Sequence, residues 1–386
     1  MDAESVGIGS VVVHGEGSAR QVLGQWLALA DVRLNGERPW DLRVLSPELP
    51  QRLLAGGSLA LGESYMDGHW SVERLDLLFE HLIRARLAER LRPLPVLWHV
   101  MKARLLNLQT QKRAWQVGQQ HYDLGNDFYQ AMLDPRMAYT CAFWQNGARD
   151  LAEAQEHKLD LVCRKLGLKP GMRLLDIGCG WGSLMKFAAE RYGVSCVGLT
   201  ISAEQVALGE QLCAGLPVEF RLQDYRDFDE RFDRVASLGM YEHVGHKNAD
   251  AYMAMARRCL ADDGLFLLHT IGRNDSANGT DPWIHRYIFP NGELPSIARL
   301  GRAAEPHFVV EDLHNFGADY DLTLSAWHQR FEAAWPRFAE ELGERFYRMW
   351  RYYLLCSAAA FRVRDIQLWQ WVLSPRGVVG GYRRPG

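Results

Sequence analysis

The strongest constraint on the fold is a run of apolar strands and amphipathic helices that alternate from Met172 onward. "MRLLDI" (172–177) reads as a strand and "SLMKFAAERY" (183–192) as the helix after it. "VSCVGL" (194–199) gives a second strand, followed by a helix from Ser202 to about Leu212. "VEFRL" (218–222), "RVASLGM" (234–240) and "GLFLLHTI" (264–271) supply three more strands. Strands that are apolar along their length and separated by helices predict an α/β fold with a parallel sheet covered on both faces. Farther on, helices are expected within 324–360 and a late strand at "QLWQWVL" (367–373).

The first third of the chain has a different character. "AGGS" (55–58) and "MDGHW" (66–70) are turn signals. Ser71 is the expected N-cap of a helix with Glu73 in its first turn; Leu75, Leu78, Phe79, Leu82 and Ile83 fall at helical spacing. From Arg84 to Arg113, eight basic residues (Arg84, Arg86, Arg90, Arg92, Lys102, Arg104, Lys112, Arg113) stand against one acid, Glu89, with Trp98 and several leucines interleaved. That composition suits an anionic membrane surface, and it reads equally as a solvated linker helix. The expected organisation is an N-terminal domain (1–92), a basic linker (93–117) and a larger domain (118–386).

A net charge of −3 in 386 residues argues against a nucleic-acid partner. The seven cysteines are odd in number and form no CxxC, which points to reduced thiols in a cytoplasmic protein without a zinc cluster. No secretion signal is read in "MDAESVGIGS", and no apolar run approaches the ~20 residues of a membrane span. Any membrane contact is therefore expected to be peripheral.

"DIGCGWG" (176–182) follows a strand and opens a helix, with Asp176 at the strand end and Gly178, Gly180 and Gly182 in the turn. Its spacing is GxGxG, unlike the GxGxxG of a pyrophosphate-binding turn. It resembles the first motif of class I S-adenosylmethionine-dependent methyltransferases, a Rossmann-like fold, in which the turn receives the amino-acid part of the cofactor. Many of these enzymes carry an acid after the second strand. This chain has "GLTISAEQ" (198–205) there, so Thr200, Ile201 and Gln205 become the candidates. In "LQDYRD" (222–227), Asp224 would accept from an adenine amino group and Tyr225 would pack on the ring.

Further segments narrow the resemblance. They are "LGESYMDGHW" (61–70), "HYDLGNDFY" (121–129), "MAYTCAFW" (137–144), "YEHVGHKN" (241–248), "LHTIG" (268–272), "DPWIHRYIFPNGELPS" (281–296), "HNFGADY" (314–320) and "RDIQLWQ" (364–370). Together they are similar to the bacterial cyclopropane-fatty-acyl-phospholipid synthases along almost the whole chain. The resemblance implies transfer of a methylene group from S-adenosylmethionine to the cis double bond of an unsaturated phospholipid acyl chain. Methyl transfer to the alkene leaves a carbocation, and loss of a proton from that methyl closes the ring. In the family a bound bicarbonate ion is thought to take the proton. The matching residues here are Cys141, Glu242, His269, Ile271 through its backbone, and Tyr320. Glu242 is expected to orient His269, which donates toward the anion. Tyr139 and Thr140 are expected to close the cofactor site.

The resemblance also implies an N-terminal lipid-binding domain, a homodimer and contact with the inner face of the membrane. The joint presence of Cys141, Glu242, His269 and Tyr320 speaks against a non-catalytic membrane-binding protein that has kept the fold, and two further alternatives stay open at this stage. One is a lipid methyltransferase that adds a methyl or methylene branch without closing a ring. The other is methylation of a different acceptor, although the fourth strand ends in "MYEHVG" rather than the Pro-Pro-aromatic motif of amino-methylating DNA enzymes.

Overall fold

The computed structural model describes residues 16–87, 124–277 and 279–386. The expected linker 93–117, nearly all of the basic stretch and the start of "HYDLGNDFY" lie outside these residues. The N-terminal unit consists of α1 (Glu16–Ala28), α2 (Leu49–Met66), α3 (Leu75–Arg84) and a short antiparallel ribbon of β1 (Arg43–Val44) and β2 (Trp70–Ser71). The helix expected from Ser71 starts at Leu75 instead, because Ser71 pairs with Arg43 in the ribbon and Arg74 takes the cap position. Its anticipated inner face is correct: Leu75, Leu78 and Phe79 are buried.

Among the described residues, the remaining helices are α4 (Asn126–Met132), α5 (Leu151–Lys165), α6 (Ser183–Tyr192), α7 (Ala203–Leu212), α8 (Ala249–Cys259), α9 (Pro282–Tyr287), α10 (Ile297–Ala304), α11 (Ala318–Ala334) and α12 (Ala339–Arg362). Seven strands form one sheet: β3 (Arg173–Ile177), β4 (Ser195–Thr200), β5 (Val218–Leu222), β6 (Phe232–Leu238), β7 (Leu260–Arg273), β8 (Val309–Asn315) and β9 (Ile366–Ser374). Their order is β5-β4-β3-β6-β7-β9-β8. The five strands anticipated from the apolar runs are parallel to one another.

The pairings of the two later strands of the sheet depart from this parallel arrangement. β9 runs antiparallel to both β7 and β8. Only residues 363–365 separate α12 from β9, so β9 enters beside the far end of β7, Ile366 opposite Arg273, and must run back. β8 was not anticipated. Its sequence "VVEDLHN" lacks an apolar run, and Val309 and Val310 lie exposed on this edge strand.

The N-terminal unit does not stand apart. Leu53, Trp70 and Leu78 belong to the same apolar cluster as Trp283 of α9 and Trp350 and Leu354 of α12. Phe79 meets the ring of Tyr352 edge-on at 4.9 Å, and Trp283 lies 4.3 Å from Tyr352, centroid to centroid. Around this contact Arg362 of α12 holds both carboxylate oxygens of Asp321 (2.9 and 3.0 Å) and reaches Asp76 of α3 at 3.0 Å. Gly62 of α2 is the point of closest approach: a Cβ there would lie 2.3 Å from the Trp283 ring. Gly62→Ala is therefore expected to destabilise the fold by about 1–3 kcal/mol through overpacking, read as a lower urea midpoint.

Candidate active site

The chain runs from β3 outward to β5, then returns to β6 on the other side of β3. Strand order thus reverses between β3 and β6, and the loops leaving their carboxyl ends diverge and leave a crevice. A cavity occupies it, and all ten candidate binding residues line its wall: Tyr139, Thr140, Asp176, Gly178, Gly180, Thr200, Ile201, Gln205, Asp224 and Tyr225.

Gly178, Gly180 and Gly182 all have positive φ (79°, 55° and 84°), a conformation that side chains disfavour. A Cβ at Gly178 would also strike the Met240 side chain at 2.7 Å, whereas Gly180 faces open space. The turn is tied to the next strand by the amides of Gly178 and Cys179, which both donate to the Leu199 carbonyl. The Thr200 hydroxyl donates to Gln205 Oε1 at 2.7 Å, which holds the amide side chain at the rim. Asp224 accepts from the Arg226 amide and guanidinium, and the Arg226 guanidinium lies over the Tyr225 ring. Asp176 is different: Oδ1 is buried and has no hydrogen-bond partner. Burial pushes its pKa up to about 7, opposed by the charge of Lys158.

Lys158 is the main residue that sequence reasoning missed. It lies on α5, is almost completely buried, lines the cavity and donates to the Thr140 hydroxyl at 2.6 Å. Burial lowers its pKa to about 8, against the pull of Asp134, Cys141 and Asp176. A lone lysine in "AQEHKLDL" carries no motif; only its place on the inner face of an amphipathic helix marks it.

None of the five candidate catalytic residues, Cys141, Glu242, His269, Ile271 and Tyr320, is among those lining the cavity. His269 and Ile271 are two apart on β7 and so share one face of the sheet. The backbone of Gly239, just after β6, donates to the His269 carbonyl, and Thr140 packs against Gly239. This brings the wall of the cavity next to the His269 strand. Phe316 bridges the two sides, with its ring 5.9 Å from His269 and 5.3 Å from Phe143, in the segment that carries Cys141. Tyr320 begins α11, stacks on Phe361 and meets Trp327, which in turn packs on Tyr139.

Two expectations for this group are corrected. Glu242 does not orient His269: its Oε1 accepts from the Ile271 amide at 2.7 Å, and Oε2 has no partner. The Ile271 amide is therefore occupied by Glu242. The partner of His269 is Gln370, whose Nε2 lies 3.2 Å from Nδ1, while His269 Nε2 has none. Burial raises the pKa of Glu242 to about 7, with the Ile271 amide opposing. Burial and the nearby charges of Lys158 and Lys165 hold His269 well below its usual range, hence neutral. Cys141 is fully buried, which raises its thiol pKa, and its Sγ donates to the Ala142 carbonyl. It is no activated nucleophile. Among the described residues, no group of His, Cys, Asp and Glu is arranged to hold a metal ion.

A family model described as mycolic acid cyclopropane synthetase matches residues 109–371. The cyclopropane-fatty-acyl-phospholipid synthase of Escherichia coli K12 is 54% identical over 364 residues, 94% of this chain and 95% of that one. Among solved structures, the cyclopropane synthase MmaA2 from Mycobacterium tuberculosis aligns with a TM-score of 0.63 and 33% identity, covering 67% of this chain and 97% of its own. The mycolic acid cyclopropane synthase CmaA1 complexed with SAH and CTAB gives the same TM-score at 36% identity, with the same coverage.

The buried charges set a pH dependence of stability. Asp176 and Glu242 have folded pKa values near 7, above their ordinary 3.8 and 4.5, so their contribution is full below those ordinary values and is lost as pH rises through about 7. Lys158 and Lys165 are lowered to about 8 and about 7, so the folded protein regains stability as pH rises beyond them. The buried His243, His269 and His314, all lowered, act in the opposite sense over the same range, so the contribution of each acid is read by difference: relative to the wild type, Asp176→Asn and Glu242→Gln are each expected to gain urea midpoint as pH rises from about 4 to 7.

Proposed function

The chain belongs to the mycolic acid cyclopropane synthetase family, and from that premise we propose that it transfers a methylene group from S-adenosylmethionine to the cis double bond of an unsaturated phospholipid acyl chain, closing a cyclopropane ring. The observation that carries this reading is the adjacency of two things. One is a glycine-lined cavity that includes an unpartnered Asp176 carboxylate oxygen; the other is the buried carboxyl of Glu242 and the buried imidazole of His269, held separately by the Ile271 amide and by Gln370, whose Oε2 and Nε2 lack partners. The SAH in the CmaA1 structure is the demethylated form of S-adenosylmethionine.

The cavity residues fit such a cofactor. The unpartnered Asp176 oxygen would accept from its amino group, Gln205 and Thr200 would receive ribose hydroxyls, and Tyr225 would offer a ring face to adenine; that all four line one cavity supports this assignment. When bound, S-adenosylmethionine supplies an electrophilic methyl. The chain holds the alkene beside that methyl, and this proximity supplies much of the acceleration. Water must be kept from the cation; Tyr139 lines the cavity and is backed by the rings of Trp327 and Tyr320, an apolar aromatic cluster that would exclude water and stabilise nearby positive charge.

Bicarbonate, held by Glu242, His269 and Tyr320, would supply the base. A carboxylate facing an anion would repel it, and the raised pKa of Glu242 removes that conflict: near neutrality Oε2 can keep its proton and donate it. His269 Nε2 is the second donor. The basic sequence between Arg84 and Arg113 supports contact with anionic lipid at the inner face of the membrane. The family likeness supports a homodimer in the cytoplasm.

Product analysis tests the reaction. With S-adenosylmethionine and vesicles of cis-unsaturated phospholipid, the released acyl chains are expected to gain one CH2, lose the alkene signal and show cyclopropane protons. A retained or exocyclic alkene would point to branch addition and sink the ring-closing reading. Turnover is expected to be higher on anionic than on neutral vesicles, the difference fading with salt. For the site, Glu242→Gln keeps a neutral donor and is expected to retain most turnover, whereas Glu242→Ala loses about 100-fold or more in kcat. Equal losses in both variants would refute a protonated Glu242.

A further inference from the structure

Gln370 lies on β9 directly opposite His269 on β7, and opposite His314 of β8 on its other side. Residues paired across neighbouring strands share a face, so the three side chains form a row across the sheet. Both Gln370 and His269 are buried from solvent. The Gln370 amide nitrogen sits 3.2 Å from His269 Nδ1. An amide nitrogen can only donate. In this amide orientation Nδ1 is the lone-pair nitrogen of the ring, the ring proton is on Nε2, and Gln370 Oε1 is left buried without a partner.

That choice matters because the imidazole is neutral. The charged and titratable groups around it are Lys158 and Lys165 from α5, Glu242 from the turn after β6, and His314 from β8. His314 is itself held by Lys165, Nζ to Nδ1 at 3.0 Å. Burial and both lysines disfavour a second proton on His269. A neutral imidazole is a donor on one nitrogen and an acceptor on the other, and its neighbour decides which. Nε2 is buried, without a partner, and so is Glu242 Oε2.

We infer that Gln370 is a positioning residue that fixes His269 as the Nε2–H tautomer, so that the ring presents a donor to the reacting centre. The inference rests on the role given to His269 above. The opposite amide orientation would place Oε1 at Nδ1, put the proton there, and make Nε2 an acceptor able to take a proton itself. The two orientations assign opposite duties to the same ring: steadying an anionic base, or being the base. In the observed orientation His269 holds and orients, and the proton from the delivered methyl goes elsewhere.

The test combines spectroscopy with kinetics on the full chain. With 15N-labelled histidine side chains, and His269→Asn to assign the signals, wild-type His269 is expected to show a pyridine-type Nδ1 and a pyrrole-type Nε2. Gln370→Glu places a carboxylate acceptor at Nδ1 and is expected to reverse that pattern. Gln370→Leu, which introduces no charge, is expected to leave a mixture. Both variants are expected to lose roughly 10- to 100-fold in kcat, with KM for S-adenosylmethionine unchanged. A pyrrole-type Nδ1 in the wild-type protein overturns the inference. So does a Gln370→Leu variant with wild-type kcat and wild-type signals. If His269→Asn turns over at the wild-type rate, the reading of the site fails instead, and the tautomer result is judged on its spectrum alone.

Discussion

Everything at the site depends on one topological event: the chain leaves β3 for β4 and β5, then reappears on the other side of β3 as β6. Loops that exit neighbouring strands in opposite directions cannot fill the space between them. The glycine turn after β3 and the Tyr241–His243 turn after β6 become the two lips of one crevice. The same parting places Met240 against Gly178 and Thr140 against Gly239, so the lips are locked by contacts that no larger residue at either glycine would allow.

The second organising force is desolvation. Lys158, Asp176, Glu242 and His269 are all removed from water near this crevice. Removal drives each toward its neutral form, raising the acids and lowering the bases. The two acids and the imidazole of this site therefore carry less charge near neutrality than they would in water, while Lys158 stays largely protonated. That suits a reaction between a cationic cofactor and an uncharged alkene, in which charge has to be created and removed inside an apolar setting.

Much of this was legible in the sequence, and the reasons are specific. β3, β4, β6 and β7 lie inside the sheet with both faces covered, so each carries an apolar run that marks it; β5, at the far edge, is VEFRL with only Phe220 buried, and its place followed from the alternation of strands and helices. The glycine turn is legible because its backbone conformation demands those residues. β8 was not legible, since an edge strand has no need of apolar continuity. The partners of Glu242 and His269 were misread for a related reason. Glu242 bonds to a backbone amide and His269 to a residue 101 positions away. Neither choice leaves a trace in local spacing, and adjacency of chemical types in a motif says little about which atoms meet.

The shared core of the N-terminal unit and α12 bears on how such chains can be divided. The family match begins at residue 109, beyond α3, yet the face of α12 inside that match is packed by Trp70, Leu78 and Phe79 from outside it. A recombinant boundary drawn at the edge of the match would cut through a hydrophobic core and leave an oily helix face in water. In this chain the region common to the family and the region beyond it are not interchangeable parts. To trade the first for that of a shorter relative, the surface of α12 would have to be rewritten along with it.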